Sequence, residues 1–104
     1  MAIMTHTDNQ ESTTKFNVGG TFNGMIAKLI QYTGLSAHAG SEPHLGVNAL
    51  NAATLALTAI HAQRETFREQ DFIRIHPIIT KGGVAVSAVP DDVRIETFIR
   101  GKTI

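Results

Sequence analysis

Apolar and polar positions first fall into a clear period at residues 23–33. Met25, Ala27 and Leu29 share one face, and Ile26, Lys28, Ile30 and Tyr32 share the other. A period of two predicts a strand from Asn23 to Thr33, ended by Gly34. The period then lengthens. Between residues 46 and 68, Val47, Leu50, Ala53, Leu57 and Ile60 recur every three or four positions, which is the apolar stripe of a helix. Its many alanines favour helix and permit close approach of a neighbour. Asn48 and Asn51 near its start can satisfy free amides, and Arg64 and Arg68 in its last turns suit the negative end of the helix dipole. Phe72 to Thr80, rich in Ile, predicts a second strand. Pro77 cannot donate to a ladder, so that strand is expected at an edge or with a bulge. Gly82-Gly83 reads as a turn, or as a bulge in one long bent strand that continues through Val84, Val86 and Ala88 to Pro90. After a turn at Pro90-Asp91-Asp92, Val93, Ile95, Thr97 and Ile99 alternate with Arg94, Glu96, Phe98 and Arg100. That is a half-buried strand with one wet face.

The order strand, helix, strand, strand predicts an α+β fold. It is three quarters of a split β-α-β (ferredoxin-like) unit, an antiparallel sheet with its helix on one face. The second helix and last strand of that unit are expected beyond Ile104, so part of one sheet face is expected to be bare. Residues 5–15 are polar and aperiodic. Residues 1–20 are therefore expected to form a flexible polar leader, and residues 21–104 the folded domain.

The chain has 104 residues, enough for one small domain. Its nine basic and nine acidic residues cancel, which argues against a nucleic-acid or anionic-membrane surface. With no cysteine there is no disulfide, no thiolate chemistry and no Cys-ligated zinc. The apolar runs are too short to span a bilayer, and the N-terminus does not have the basic flank and apolar core of a signal peptide. A cytoplasmic location is the expectation.

Five histidines stand at 6, 38, 44, 61 and 76. None forms a His-x-x-x-His pair on a helix, and the six-residue spacing of His38 and His44 has no metal mechanism behind it. His61 and His76 read as surface or half-buried packing residues. His38 differs, because Ser36, Ala37, Ala39 and Gly40 leave its imidazole unhindered in a loop of small residues. An imidazole there can donate a hydrogen bond or carry charge, which suits a developing oxyanion; an ordinary loop histidine is the plainer alternative. Ser36 and Ser41 lie close by, but there is no Gly-x-Ser-x-Gly elbow and no placed acid for a serine hydrolase. Gly82-Gly83 lacks the Lys-Ser/Thr ending of a phosphate loop. Asp91-Asp92 and Glu65/Glu69 read as turn and helix-surface carboxylates.

A set of ordered pieces remains. It runs from the strand ending in Gly34 through Ala37-His38-Ala39, Pro43 and Gly46-Val47-Asn48-Ala49-Leu50 to Gln63-Arg64-Glu65-Thr66-Phe67. It continues with Ile73-Arg74-Ile75-His76-Pro77-Ile78-Ile79-Thr80-Lys81-Gly82-Gly83, Val89-Pro90 and Ile99-Arg100-Gly101. In this order and spacing, residues 22–103 resemble the dimerisation (lid) domain of the zinc aminoacylase, carboxypeptidase and N-acyl-amino-acid amidohydrolase superfamily, most closely its amidohydrolase branch.

The resemblance implies a two-domain parent. Its catalytic domain holds zinc or another divalent metal, and an inserted lid pairs two subunits into a homodimer. Residues 1–20 would then be a remnant of the catalytic domain. By resemblance, His38 reaches the partner's active site and polarises the scissile carbonyl of an N-acyl amino acid or small peptide. Arg100 matches an arginine that binds a substrate carboxylate in some members. Ser87 stands where the family commonly has a substrate-holding Asn, and a hydroxyl cannot offer both an amide donor and a carbonyl acceptor. His6 matches a metal-binding histidine of the preceding catalytic segment. The other metal ligands are not in this sequence, so no cofactor and no hydrolysis are expected of the chain alone. Two rivals stand beside this reading. One is a non-enzymatic ferredoxin-like module that self-associates or binds a small metabolite; the other is an independent hydrolase using His38 with Ser36 or Ser41.

Overall fold

The computed structural model describes residues 21–103, together with Ile3 and Thr5. Three strands and one helix carry the fold: β1 (Gly24–Thr33), α1 (Ala49–Gln63), β2 (Arg74–Lys81) and β3 (Asp92–Gly101). The sheet order is β1-β3-β2, with β3 antiparallel to both neighbours. β1 and β2 therefore run parallel to each other, joined across β3 by α1. This is the α+β, split β-α-β arrangement that the order of periods predicts.

Alternation in the strands assigns the faces. On β3, Val93 and Ile95 are 0% exposed and Thr97 is 6% exposed, while Arg94, Glu96 and Phe98 between them face water. The register sets Tyr32 opposite Val93, and flanks Ile95 with Ile30 on β1 and Ile79 on β2. α1 lies across β3 and β1 on this face. Ala49 and Ala53, both buried, bring its backbone close to Val93 and Ile95, and Leu50 and Leu57 pack at the margin. Coverage is partial, as expected of one helix on three strands: Ile26 on the same face is 38% exposed. β2 is an edge strand, which accommodates Pro77.

Four boundaries differ from the sequence expectation. The helix begins at Ala49, not 46, because Asn48 caps it; its side chain accepts from Leu50 N at 2.9 Å and Asn51 N at 3.1 Å. Val47 is extended and bridges Leu35. The helix ends at Gln63, not 68, tightening into a 3₁₀ turn at Arg64–Thr66 before Phe67 turns extended. β2 starts at Arg74 because Phe72 is left-handed, at φ 51°. It also stops at Lys81, so residues 84–88 are not a continuation of the strand. Gly83, at φ 139°, turns the chain away, and Val84 and Val86 are left exposed in a loop. A register shift does occur, but between Ile79 and Lys81, ahead of the Gly-Gly pair.

Candidate functional site

The long connection from β1 to α1 carries His38. Two backbone bonds between Leu35 and Val47, at 3.0 and 2.9 Å, close this connection on itself. Gly34 sits at its neck, where a Cβ would lie 2.0 Å from the Val47 carbonyl oxygen, so only glycine fits. The connection is also stitched along the segment leading into β3. Gly34 N donates to Asp91 O at 2.7 Å, Ala49 N to Pro90 O at 2.9 Å, Val89 N to Ala37 O at 2.9 Å and Ala39 N to Ser87 O at 2.8 Å. Residues 34, 37 and 39 are thereby pinned to the 87–91 segment. Of the side chains on these bonded residues, only those of Ala49 and Val89 are buried.

His38 itself is exposed, yet it is not loose. It forms a bridge with Ala88, and its carbonyl accepts from Glu42 N at 3.0 Å. Its Nδ1 accepts two backbone bonds, from Gly40 N and Ser41 N, each at 3.1 Å. Nε2 has no hydrogen-bond partner among the described residues. No hydroxyl of Ser36 or Ser41 bonds either ring nitrogen among them, so the geometry gives the serine-hydrolase rival no nucleophile–base pair.

The structure brings Ser87 beside His38, through the Ala39–Ser87 bond, and leaves its hydroxyl exposed. It does not bring Arg100 there. Arg100 lies at the opposite end of β3, eight residues beyond Asp92, or roughly 26 Å at the usual strand rise. Its guanidinium stacks over the Phe98 ring at 5.3 Å on the solvent face. His6 lies outside the described residues. His44, His61 and His76 are exposed and separate. Among the described residues no three His, Asp or Glu side chains gather as a metal site requires.

Two features were not legible as chemistry. The first is the pair of Gly40 and Ser41 amides on His38; the only sequence signal is the small-residue turn that follows it. The second is Asp92, which reads as a turn residue. Instead it opens β3 and accepts from Lys81 Nζ of β2 at 2.6 Å, Gln31 Nε2 of β1 at 2.8 Å and Arg94 Nη2 at 3.0 Å. Lys81 first, then Arg94 and Gln31, hold its carboxyl well below the usual carboxylate range. One carboxylate thus ties all three strands at the end of the sheet nearest His38.

Comparison with known proteins agrees with this architecture. The chain is 34% identical over 73 residues to a p-aminobenzoyl-glutamate hydrolase homolog of Haemophilus influenzae, covering 70% of this chain and 17% of that protein. It is 33% identical over 75 residues to the Xaa-Arg dipeptidase of Mus musculus, covering 72% of this chain and 17% of that protein. A crystal structure from methicillin-resistant Staphylococcus aureus, assigned as an aminohydrolase, superposes with a TM-score of 0.61 at 26% identity, over 78% of this chain and 22% of that one. The chain thus spans less than a fifth of the length of the two relatives. No described helix is long and apolar enough to cross a membrane. The peptidase dimerisation domain family matches residues 11–103, nearly the whole chain, and the chain belongs to that family.

Proposed function

We propose that this chain is the lid and dimerisation part of a metal-dependent amidohydrolase that cleaves the amide bond of N-acyl amino acids or small peptides. In this reading two copies pair, and each supplies His38 to the active site of its partner. The observation that carries it is His38: an exposed imidazole whose backbone and ring are both fixed, with Nε2 unengaged among the described residues. Nothing described within the domain uses that nitrogen, so its use is expected from outside. A hydrogen bond from it to the carbonyl oxygen of a bound amide would stabilise the charge that develops during attack.

Among the described residues no cluster of three metal ligands forms. Zinc or another divalent ion would belong to the catalytic domain, to which the matched histidine at position 6 would contribute. The relatives' names, p-aminobenzoyl-glutamate hydrolase and Xaa-Arg dipeptidase, support this substrate class; both name an amide on the nitrogen of an amino acid. Ser87, adjacent to His38, is the substrate contact expected at the same site. Arg100 is too far along β3 to touch a substrate held by His38 of the same chain, so its carboxylate contact would fall in a different active site of the homodimer. The cytoplasmic setting belongs to the same reading.

The test is His38→Ala in the full-length enzyme that carries this segment, assayed on N-acyl amino acids. Loss of one oxyanion donor lowers kcat by about 10² to 10³. The molar mass should stay that of a dimer. Unchanged turnover, together with binding of a free amino acid by the isolated chain, would favour the non-enzymatic metabolite-binding module.

A further inference from the structure

We propose that the backbone amides of Gly40 and Ser41 are positioning groups that lock His38 as its Nε2-protonated tautomer. The imidazole is thereby presented as a hydrogen-bond donor to an oxygen gaining negative charge, and not as a proton-accepting base. The inference deepens the proposed function and rests on it for the identity of the oxygen. The tautomer itself rests on geometry alone.

Each amide nitrogen lies 3.1 Å from Nδ1. A backbone N–H can only donate, so Nδ1 must present its lone pair, and a proton there would face two donors with no acceptor. A neutral imidazole carries one N–H, which is therefore on Nε2. To act as a base, Nε2 would have to give up that proton to Nδ1 and break both bonds.

The surroundings close the other routes to an orienting partner. No described carboxylate hydrogen-bonds the ring; Glu42, in the same turn, offers His38 only its backbone N–H, 3.0 Å from the His38 carbonyl oxygen. The usual orienter of a functional histidine is a carboxylate or carbonyl that accepts from its N–H and leaves the second nitrogen basic. Here the polarity is reversed. Donors occupy the first nitrogen, and the second keeps its proton. Bonds from Val89 N to Ala37 O and from Ala39 N to Ser87 O fix the backbone on either side of His38, so the ring's anchor does not drift.

The experiment is nitrogen-15 NMR of this chain well above pH ~6.5, where ordinary imidazoles are neutral. Scalar couplings across the hydrogen bonds, from the Gly40 and Ser41 amide nitrogens to His38 Nδ1, are expected. So is a pyrrole-like Nε2 beside a pyridine-like Nδ1. Ser41→Pro removes one donor. It should abolish the Ser41 coupling and move the tautomer ratio of His38 toward that of His44, His61 and His76, which have no amide on a ring nitrogen among the described residues. Ser41→Ala keeps the N–H and should behave as the parent chain. The amide peaks of Val93 and Ile95 report whether each variant is folded. Absence of both couplings in the unmutated chain, with His38 showing the same tautomer mixture as the other three, overturns the proposal without the need for any variant. If the couplings are present while His38→Ala leaves the full-length enzyme fully active, the lock stands and the catalytic use of His38 falls.

Discussion

At the end of the sheet that carries His38, α1 seats Ala49 and Ala53 on Val93 and Ile95, and Asp92 ties β1, β2 and β3 together. The His38 connection there is stitched to residues 87–91. At the Arg100 end the ties are to flanking turns instead: Arg64 donates to the Ile75 carbonyl and Lys102 N to the Asp71 carbonyl. Ile26 is 38% exposed, Ile99 and Ile75 are only half-buried, and Arg74 stands directly opposite Arg100. The two ends thus differ in how their strands are held. The buried pair, the Asn48 cap and the Asp92 tie lie at the end that carries His38. Both ends leave apolar side chains open, Ile26 at one and Ile79, Leu35, Val47, Val84 and Val86 at the other, so what sets them apart is the fully buried pair Val93 and Ile95 and the Asp92 tie.

A pair of truncations on the same sheet face tests that contrast most strongly. Ile95→Ala removes a side chain that is 0% exposed, and should cost about 2–5 kcal/mol, close to the whole stability of so small a domain. Ile26→Ala, at the open end, should cost about 1 kcal/mol, since much of that side chain already meets water. Urea midpoints of the two variants at unchanged slope measure the difference. Equal losses would mean that the Arg100 end is covered as well as the His38 end.

Gly34→Ala should come next, at about 1–3 kcal/mol, because the added Cβ meets the Val47 carbonyl and the neck of the connection must widen. Hydrogen exchange should show the Leu35 and Val47 amides opening while those of Val93 and Ile95 stay protected. Loss of protection throughout would show that the connection is part of the core, not a structure stitched onto it.

The same contrast explains what the sequence discloses. Val93, Ile95, Thr97 and Ile99 turn inward by alternation, and alternation is written in the residues, so the strand and its wet face follow directly; Pro77 narrows its own strand to an edge or a bulge, and the fold takes the edge. The apolar stripe from Leu50 to Ile60 likewise gives the helix, though not its ends. Asn48 decides the start by a side-chain bond, and a 3₁₀ turn decides the finish. The stitched connection is held by backbone groups, which every residue has, so no residue type announces that Ala39 pairs with Ser87 or that Gly40 and Ser41 face Nδ1. Val84 and Val86 mislead for the same reason: their β-branched side chains suggest a strand, and one positive φ at Gly83 overrides them. Asp92 was hidden because its partners come from three strands whose register only the fold sets. The small neighbours and ordered motifs around His38 single it out as a candidate, but nothing in the sequence points to the two amides on its Nδ1.

Asp92 offers a subtler way to loosen the ordered end. Its folded carboxyl titrates below the ordinary value, so its contribution is fully present above the unfolded value of about 3.9 and is lost as pH falls through the folded one. Asp92→Asn should therefore lower the thermal midpoint at neutral pH, and the gap to the parent chain should shrink on acidification. Because Lys81 and Arg94 are partly exposed, added salt should shrink it too. A gap that stays constant through the acid limb would show that Asp92 acts by shape and not by charge.

Charge reversal is the gentlest probe, and it should act with opposite signs at the two ends. Across β2 and β3, Arg74 opposes Arg100, and among the described residues the Arg74 guanidinium donates to the carbonyl of its neighbour Ile73. Like charges directly opposed on a sheet face destabilise it. Arg74→Glu replaces repulsion with attraction and should stabilise the chain by about 0.2–1 kcal/mol, less at high salt. At the other end Arg94 likewise stands opposite a cation, Lys81, but Asp92 bonds both, so Arg94→Glu would set two carboxylates against one ammonium. It should destabilise. Two glutamates on one strand pair, moving the denaturation midpoint in opposite directions, would show that the Asp92 carboxylate offsets the opposed cations Lys81 and Arg94 at the His38 end, while Arg74 and Arg100 repel at the other. Shifts of the same sign would reduce the contrast between the two ends to burial alone.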